Sequence, residues 1–187
     1  MLHTSISGVE LRLATLPGLF SPRAPDAGTL AMLSLISFTP DDKVLDLGCG
    51  YGLVGLYAAK LLPPPQVYLL DNDPSAIEVT RANSVLNGVP EVNTILSDGF
   101  SGTRDTGFTK IISNPPYHVD FSVPKHFIEK GFNRLSLGGA MWMVTKRRPW
   151  YDNKLRSIFG GAKVHGMGDY YVFEAIKRST QYGGRAG

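Results

Sequence analysis

Residues 44–55 read VLDLGCGYGLVG. Val44-Leu45-Asp46-Leu47 is a short apolar run carrying one acid, and glycines follow at once, which reads as a strand ending in a tight turn. From Leu53 the chain is apolar nearly all round until Pro63-Pro64-Pro65 stops it, so the pattern predicts a buried helix over 53–62. Val67-Tyr68-Leu69-Leu70 reads as a second strand ending at Asp71. Strand, glycine turn, helix and strand together open an α/β fold.

The alternation continues outward. Asp73 is suited to cap a helix, Pro74 to its first position and Gly88 to its end. Between them Ala76, Val79, Ala82 and Leu86 recur at helical spacing and are expected to face a sheet. Further strands are predicted at 93–96, 110–113 and 140–145, with a helix over 124–135. A helix over 151–159 and a closing pair of strands at 162–165 and 170–176 complete the pattern. It implies a mostly parallel sheet with helices on both faces, where ligands bind beyond the carboxyl ends of the strands. Asp46 with its glycines, Asp71 and Asn114 all fall at such ends.

The 187 residues suit one domain, expected over 1–178, with 179–187 as a flexible tail. An apolar fraction of 43% against 19% charged residues is that of an ordinary globular chain. The net charge of +3 is compatible with an anionic partner without requiring one. Cys49 is the single cysteine, so no internal disulfide is available, and the four histidines have no metal-site spacing. The first twenty residues lack a basic start followed by an apolar stretch, and no run is long enough for a membrane span. A cytoplasmic protein with no membrane and no metal partner is therefore expected.

Gly50-Tyr51-Gly52-Leu53-Val54-Gly55 matches the G-x-G-x-x-G of dinucleotide sites, and Asp71 lies at the spacing of a ribose-binding acid. The loop alone also serves as a plain strand-to-helix turn. Asp46 argues against a dinucleotide, because a pyrophosphate brought to this turn meets a carboxylate. S-adenosylmethionine has no phosphate, and its sulfonium and ammonium outweigh its carboxylate. An acidic strand end beside Gly48, Cys49 and Gly50 suits that ligand. Asp71 would take its ribose hydroxyls and Asp98 its adenine amine, with Asn72, Gly99 and Asn114 as further candidate cofactor contacts, although Asp98 alone is as readily a loop acid.

Residues 113–118 read SNPPYH. A conjugated amine or amide nitrogen is a poor nucleophile, because its lone pair is delocalised. Acceptors placed on its N–H groups help. The Asn114 side-chain oxygen and the Pro115 carbonyl are such acceptors, and Pro115 and Pro116 stiffen their mounting. Tyr117 can stack on a flat substrate. No strong base is needed, because the proton becomes acidic once the nitrogen is methylated. Downstream, Lys146-Arg147-Arg148 with Trp150 and Tyr151 interleaves cations and aromatics, a pattern suited to nucleic acid and equally to a solvated basic loop. Arg23 and Lys125 extend it.

DLGCGYG, LLDND, SDGF and ISNPPYH, in that order, resemble the class I S-adenosylmethionine-dependent methyltransferases of the "small" domain type. LATLPGLFSPRAPDAGTLAML upstream, and LGGAMWMVTKRRPWY, LRSIFG and YYVFEAIK downstream, resemble the catalytic half of the bacterial ribosomal RNA small-subunit methyltransferase C group. The resemblance covers about residues 10–178 and implies a Rossmann-like, seven-stranded, mostly parallel sheet with an antiparallel strand near the C-terminus. It also implies S-adenosylmethionine as donor, guanosine N2 in ribosomal RNA as acceptor, and ribosomal RNA or the small ribosomal subunit as partner. By position it assigns Asp46, Gly48, Gly50, Asp71 and Asp98 to cofactor and Asn114, Pro115 and Tyr117 to the amine. Tyr117 followed by His118 favours the guanine-N2 subgroup. Two departures stand out. Longer members carry a second methyltransferase-like half before the matching one, and a glycine usually follows where Val119-Asp120-Phe121 stand here. From the residues alone, a protein glutamine amide, adenine N6, a small amine, or a cofactor-binding module needing a partner chain remain alternatives.

Overall fold

The computed structural model describes residues 1–116 and 120–183. The chain opens with a hairpin, β1 (Leu2–Ile6) and β2 (Val9–Leu13), turned through Ser7 and Gly8, both at positive φ. That two-residue turn matches the natural twist of paired strands. Then follow α1 (Ala27–Leu33), β3 (Val44–Leu47), α2 (Leu53–Ala59), β4 (Val67–Asp71), α3 (Pro74–Leu86), β5 (Asn93–Leu96) and β6 (Phe108–Ser113). The chain closes with α4 (Ser122–Arg134), β7 (Leu135–Thr145), α5 (Arg148–Phe159), β8 (Lys163–Met167) and β9 (Tyr170–Ile176).

Seven strands form one sheet in the order β5-β4-β3-β6-β7-β9-β8. All neighbours are parallel except those of β9, which runs antiparallel between β7 and β8. The chain moves outward from β3 to β5, then returns to β6 on the other side of β3. The crevice above the β3/β6 boundary is thus the switch point where such sheets take ligands.

Both faces are covered, which is why β3 is buried at every residue. On one face α1, α2, α3 and the hairpin pack Leu11, Leu13, Met32, Leu56 and Ile77 against Val44, Leu69 and Val144. On the other α4 and α5 pack Ile128, Phe132, Leu155 and Phe159 against Leu45, Ile111 and Met143. Adjacent strand residues alternate between the two cores, as the pleat requires.

Three expectations shift. Ala76 and Val79 are buried as expected, but Ala82 is exposed, and Thr80, Asn83 and Ser84 complete the inner face of α3. Asn83 accepts from the Ala14 N–H at 2.7 Å and donates to the Ala14 and Tyr51 carbonyls at 2.9 Å. Asn87 does likewise for Arg12, so two buried amides pin the hairpin where an apolar face was expected. The helix expected to reach residue 62 ends at Ala59. The tail expected to be free from residue 179 is docked as far as residue 183. Gly183 N–H donates to the Ile158 carbonyl at 2.8 Å, Tyr182 donates to the Glu129 carbonyl at 3.1 Å, and the Tyr182 ring meets Phe132 edge-on.

Candidate active site

A cavity of about 410 Å³ opens above the carboxyl ends of β3, β4 and β6, within the range of small-molecule sites. Its floor is the glycine turn. Gly48, Gly50 and Gly52 have φ of +77°, +56° and +92°, which side-chain-bearing residues rarely adopt. A Cβ at Gly50 would meet nothing within 4 Å, so the backbone there borders open space. Gly55 has a different duty: a Cβ would lie 2.4 Å from Leu69 Cδ2, so its absence lets α2 lie flat on β4.

Asp46 is 3% exposed, and its Oδ2 accepts the Gly55 N–H at 2.8 Å. The cap position of α2 is Gly52, which has no side chain, so an acid from the neighbouring strand satisfies an orphan N–H of the first turn. Burial raises the Asp46 carboxyl to about 7; the Gly55 bond opposes this, and the charge of Asp71 adds to it. Cys49 lines the cavity with its thiol turned toward Thr80 at 3.8 Å, and burial pushes that thiol well up, helped by the charges of Asp46 and Asp71.

Asp71 at the end of β4 accepts the Gly50 N–H on Oδ2 at 2.8 Å and the Asp73 N–H on Oδ1 at 3.0 Å. It therefore ties the glycine turn to the head of α3. Thr80 donates to the Gly50 carbonyl at 2.9 Å from behind. Asn72, Asp98 and Gly99 line the same cavity, Asp98 exposed at its edge. A Cβ at Gly99 would lie 2.7 Å from the His126 ring, which closes that side.

Asn114, Pro115 and Pro116 leave the end of β6 into this cavity. Ser113 fixes the exit by donating to the Leu47 carbonyl at 2.7 Å. The Asn114 amide nitrogen donates to Asp26 Oδ2 at 3.0 Å and to Thr29 Oγ1 at 2.9 Å, at the head of α1. Its Oδ1 is buried and has no hydrogen-bond partner among the described residues. A buried carbonyl oxygen without a donor is costly, and this one stands in a cavity with room for a donor. Asp26 and Thr29 escaped the sequence reading as site residues. Their signal was present in the Asp-x-Gly-Thr run, a helix cap followed by a β-branched hydroxyl. Tyr117 and His118 lie outside the described residues.

Lys146, Arg147 and Arg148 follow β7 on the same rim and are exposed. Each lies against an aromatic ring: Lys146 over Tyr170 at 4.8 Å, Arg147 over Phe121 at 4.0 Å, Arg148 over Tyr171 at 5.4 Å. Trp150 stacks on Phe121 with centroids 4.4 Å apart. Tyr151, counted with this group in the sequence, is instead buried and stacks on Phe173. Arg23 and Lys125 are exposed as well. No cluster of metal-ligating side chains occurs among the described residues, and none of the described helices is long and apolar enough to cross a membrane.

The family described as "Methyltransferase small domain" matches residues 10–174. The ribosomal RNA small subunit methyltransferase C of Cronobacter sakazakii is 33% identical over 172 residues, 89% of this chain and 50% of that protein. The ribosomal RNA large subunit methyltransferase G of Alteromonas mediterranea is 31% identical over 172 residues, 86% of this chain and 42% of that protein. Among solved structures, a T. thermophilus 16S rRNA N2 G1207 methyltransferase (RsmC) in complex with AdoMet and guanosine superposes with a TM-score of 0.86. It is 26% identical, with 95% of this chain and 50% of that one covered. The chain thus spans about half the length of the relatives it matches. With the seven-stranded order, the switch-point cavity and the match over residues 10–174, the chain belongs to the methyltransferase small domain family.

Proposed function

We propose that the chain is an S-adenosylmethionine-dependent N-methyltransferase whose acceptor is the exocyclic N2 amine of a guanine in ribosomal RNA. The observation that carries this reading is the buried Asn114 Oδ1, without a hydrogen-bond partner among the described residues, in a cavity walled by Asp46 and Asp71. The named relatives that methylate ribosomal RNA support it.

The residues fit the donor. Open backbone at Gly48 and Gly50 allows close approach, and Asp71 retains lone pairs for ribose hydroxyls beyond its two backbone bonds. Asp98 is assigned to the adenine, and Asn72 and Gly99 line the same pocket beside it. Asp46 supplies negative potential from the wall, and Cys49 contributes backbone and packing. When bound, S-adenosylmethionine supplies an activated methyl group and net positive charge, which this acid-lined wall favours.

On the acceptor side Asn114 Oδ1 and the Pro115 carbonyl take the two N–H groups of the amine. That draws electron density onto nitrogen and aims its lone pair along one line. Pro116 keeps the turn stiff, and Tyr117 and His118 are assigned to the guanine ring. A guanine inside folded RNA has to be splayed out to enter. Lys146, Arg147, Arg148 and Trp150 are assigned to the flanking phosphates and bases. One methyltransferase domain in the cytoplasm, with residues 179–183 docked on it, is the corresponding organisation.

The test is incubation with methyl-labelled donor and either small or large ribosomal subunits, or their naked RNA, followed by mapping of the product. N2-methylguanosine at one position in one RNA is the expected result. Label found only on protein, on adenine or on free metabolites rejects the reading.

A further inference from the structure

A carboxamide has an acceptor end and a donor end that exchange places on a half-turn flip. For a site that must receive N–H groups the flip decides everything: one orientation offers oxygen, the other sets an amide N–H against the amine N–H. Both N–H groups of Asn114 are committed to α1, at 3.0 Å to Asp26 Oδ2 and 2.9 Å to Thr29 Oγ1. Asp26 Oδ2 also accepts the Thr29 N–H at 2.8 Å and the Thr29 hydroxyl at 3.2 Å. The hydroxyl proton of Thr29 is thereby directed to Asp26, which leaves its lone pair facing Asn114. A carboxylate only accepts, so a flipped amide would press its oxygen against Asp26 Oδ2. Tyr170 on β9 reinforces the arrangement. Its hydroxyl donates to Asp26 Oδ1 at 3.4 Å, and a Cβ on Gly28 would lie 2.5 Å from its ring, so ring and helix head are in close contact.

We propose that Asp26 and Thr29 are positioning residues that lock the Asn114 carboxamide with its oxygen toward the substrate. The proposal rests on the acceptor role given to Asn114 above. Without these partners the amide samples both flips, and a fraction of bound substrate faces the wrong group.

Three variants test it. Thr29→Val keeps shape and removes the acceptor. Asp26→Ser keeps a cap for α1 and is too short to reach Asn114. Asp26→Asn keeps an oxygen acceptor of the same length. Methyl transfer to RNA and the side-chain amide NMR signals of Asn114, identified by their loss in Asn114→Ala, are followed in each. Thr29→Val and Asp26→Ser are expected to lose at least about twofold in kcat, the loss for an amide flipped half of the time, and about tenfold where the flipped form dominates 9:1. Their donor KM should move by less than about threefold. Asp26→Asn should retain more kcat than either. The Asn114 amide protons should exchange slowly in the wild type and rapidly in Thr29→Val and Asp26→Ser. Full kcat in both, or amide protons as protected as in the wild type, overturns the proposal. A wild type that methylates no ribosomal RNA would defeat the acceptor reading alone. The amide signals would still report whether Asp26 and Thr29 hold the side chain.

Discussion

Replacing Asp46 by asparagine should stabilise the folded protein at alkaline pH while weakening its donor site. The substitution keeps an oxygen for the Gly55 N–H, 2.8 Å away in the wild type, and removes only the ability to ionise. Asp46 is raised from 3.8 to about 7, by burial first, with the charge of Asp71 adding to it. Between about pH 4 and pH 7 the folded protein therefore holds a proton that the unfolded chain has released. Wild-type stability falls as pH rises through that window, and the whole penalty is reached above pH 7. At 1.36 kcal/mol per pH unit the rise corresponds to roughly 4 kcal/mol as an upper figure. Relaxation and water entry around the ionised group bring a working value to about 2 kcal/mol, or ~4–8 °C in Tm for a domain of this length. Thermal melts of both proteins at pH 4.5, 6, 7 and 8.5 measure it. The curves should lie closest at pH 4.5 and separate toward pH 8.5, with Asp46→Asn melting higher. Calorimetry at pH 6 should show proton release when the cationic donor binds the wild type and not the variant. A Tm difference that is the same at every pH, or of opposite sign, refutes this account of Asp46.

Asn114→Ala removes the acceptor and should lower the methyl-transfer rate by roughly 10²-fold or more, with donor affinity by calorimetry nearly unchanged; an intact rate would contradict the role given to Oδ1. Gly55→Ala drives a Cβ to 2.4 Å from the fully buried Leu69. It should cost about 1–3 kcal/mol by urea denaturation, outweighing the ~1 kcal/mol that alanine contributes in an open helix. Changing Arg147 and Arg148 together to alanine should weaken RNA binding and flatten its dependence on salt by up to about two in log–log slope. An unchanged slope would place the RNA elsewhere.

The strand-turn-helix core was legible because its signals are local. Val44–Leu47 and Val67–Asp71 stand out as apolar runs with acids at or near their ends, and Asp73-Pro74 marks a helix start in any context. The hairpin Leu2–Ile6 with Val9–Leu13 was not read, although Ser7-Gly8 is a turn signal. It is held by contacts distant in sequence: Leu11 and Leu13 in the core, and Asn83 and Asn87 of α3, some 70 residues away. The same two amides explain the misplaced inner face of α3: a periodicity count scores asparagine as outward, and only a backbone to bond with turns it inward.

The site divides in the same way. Residue type and order alone brought Asp46, the glycines, Asp71, Asp98 and Asn114 to strand ends, since parallel strands linked by helices put every such end on one rim. Nothing local tells Asp46 to cap α2 when Gly52 offers no side chain, nor raises its carboxyl toward neutrality. Those follow from burial and from the approach of Asp71. Nor does SNPPYH state which end of the Asn114 amide faces the cavity. That was decided by a carboxylate and a hydroxyl from α1, 88 and 85 residues earlier in the chain. Sequence determined which groups are present and on which edge; tertiary structure decided their orientation and charge, because both depend on neighbours that only folding supplies.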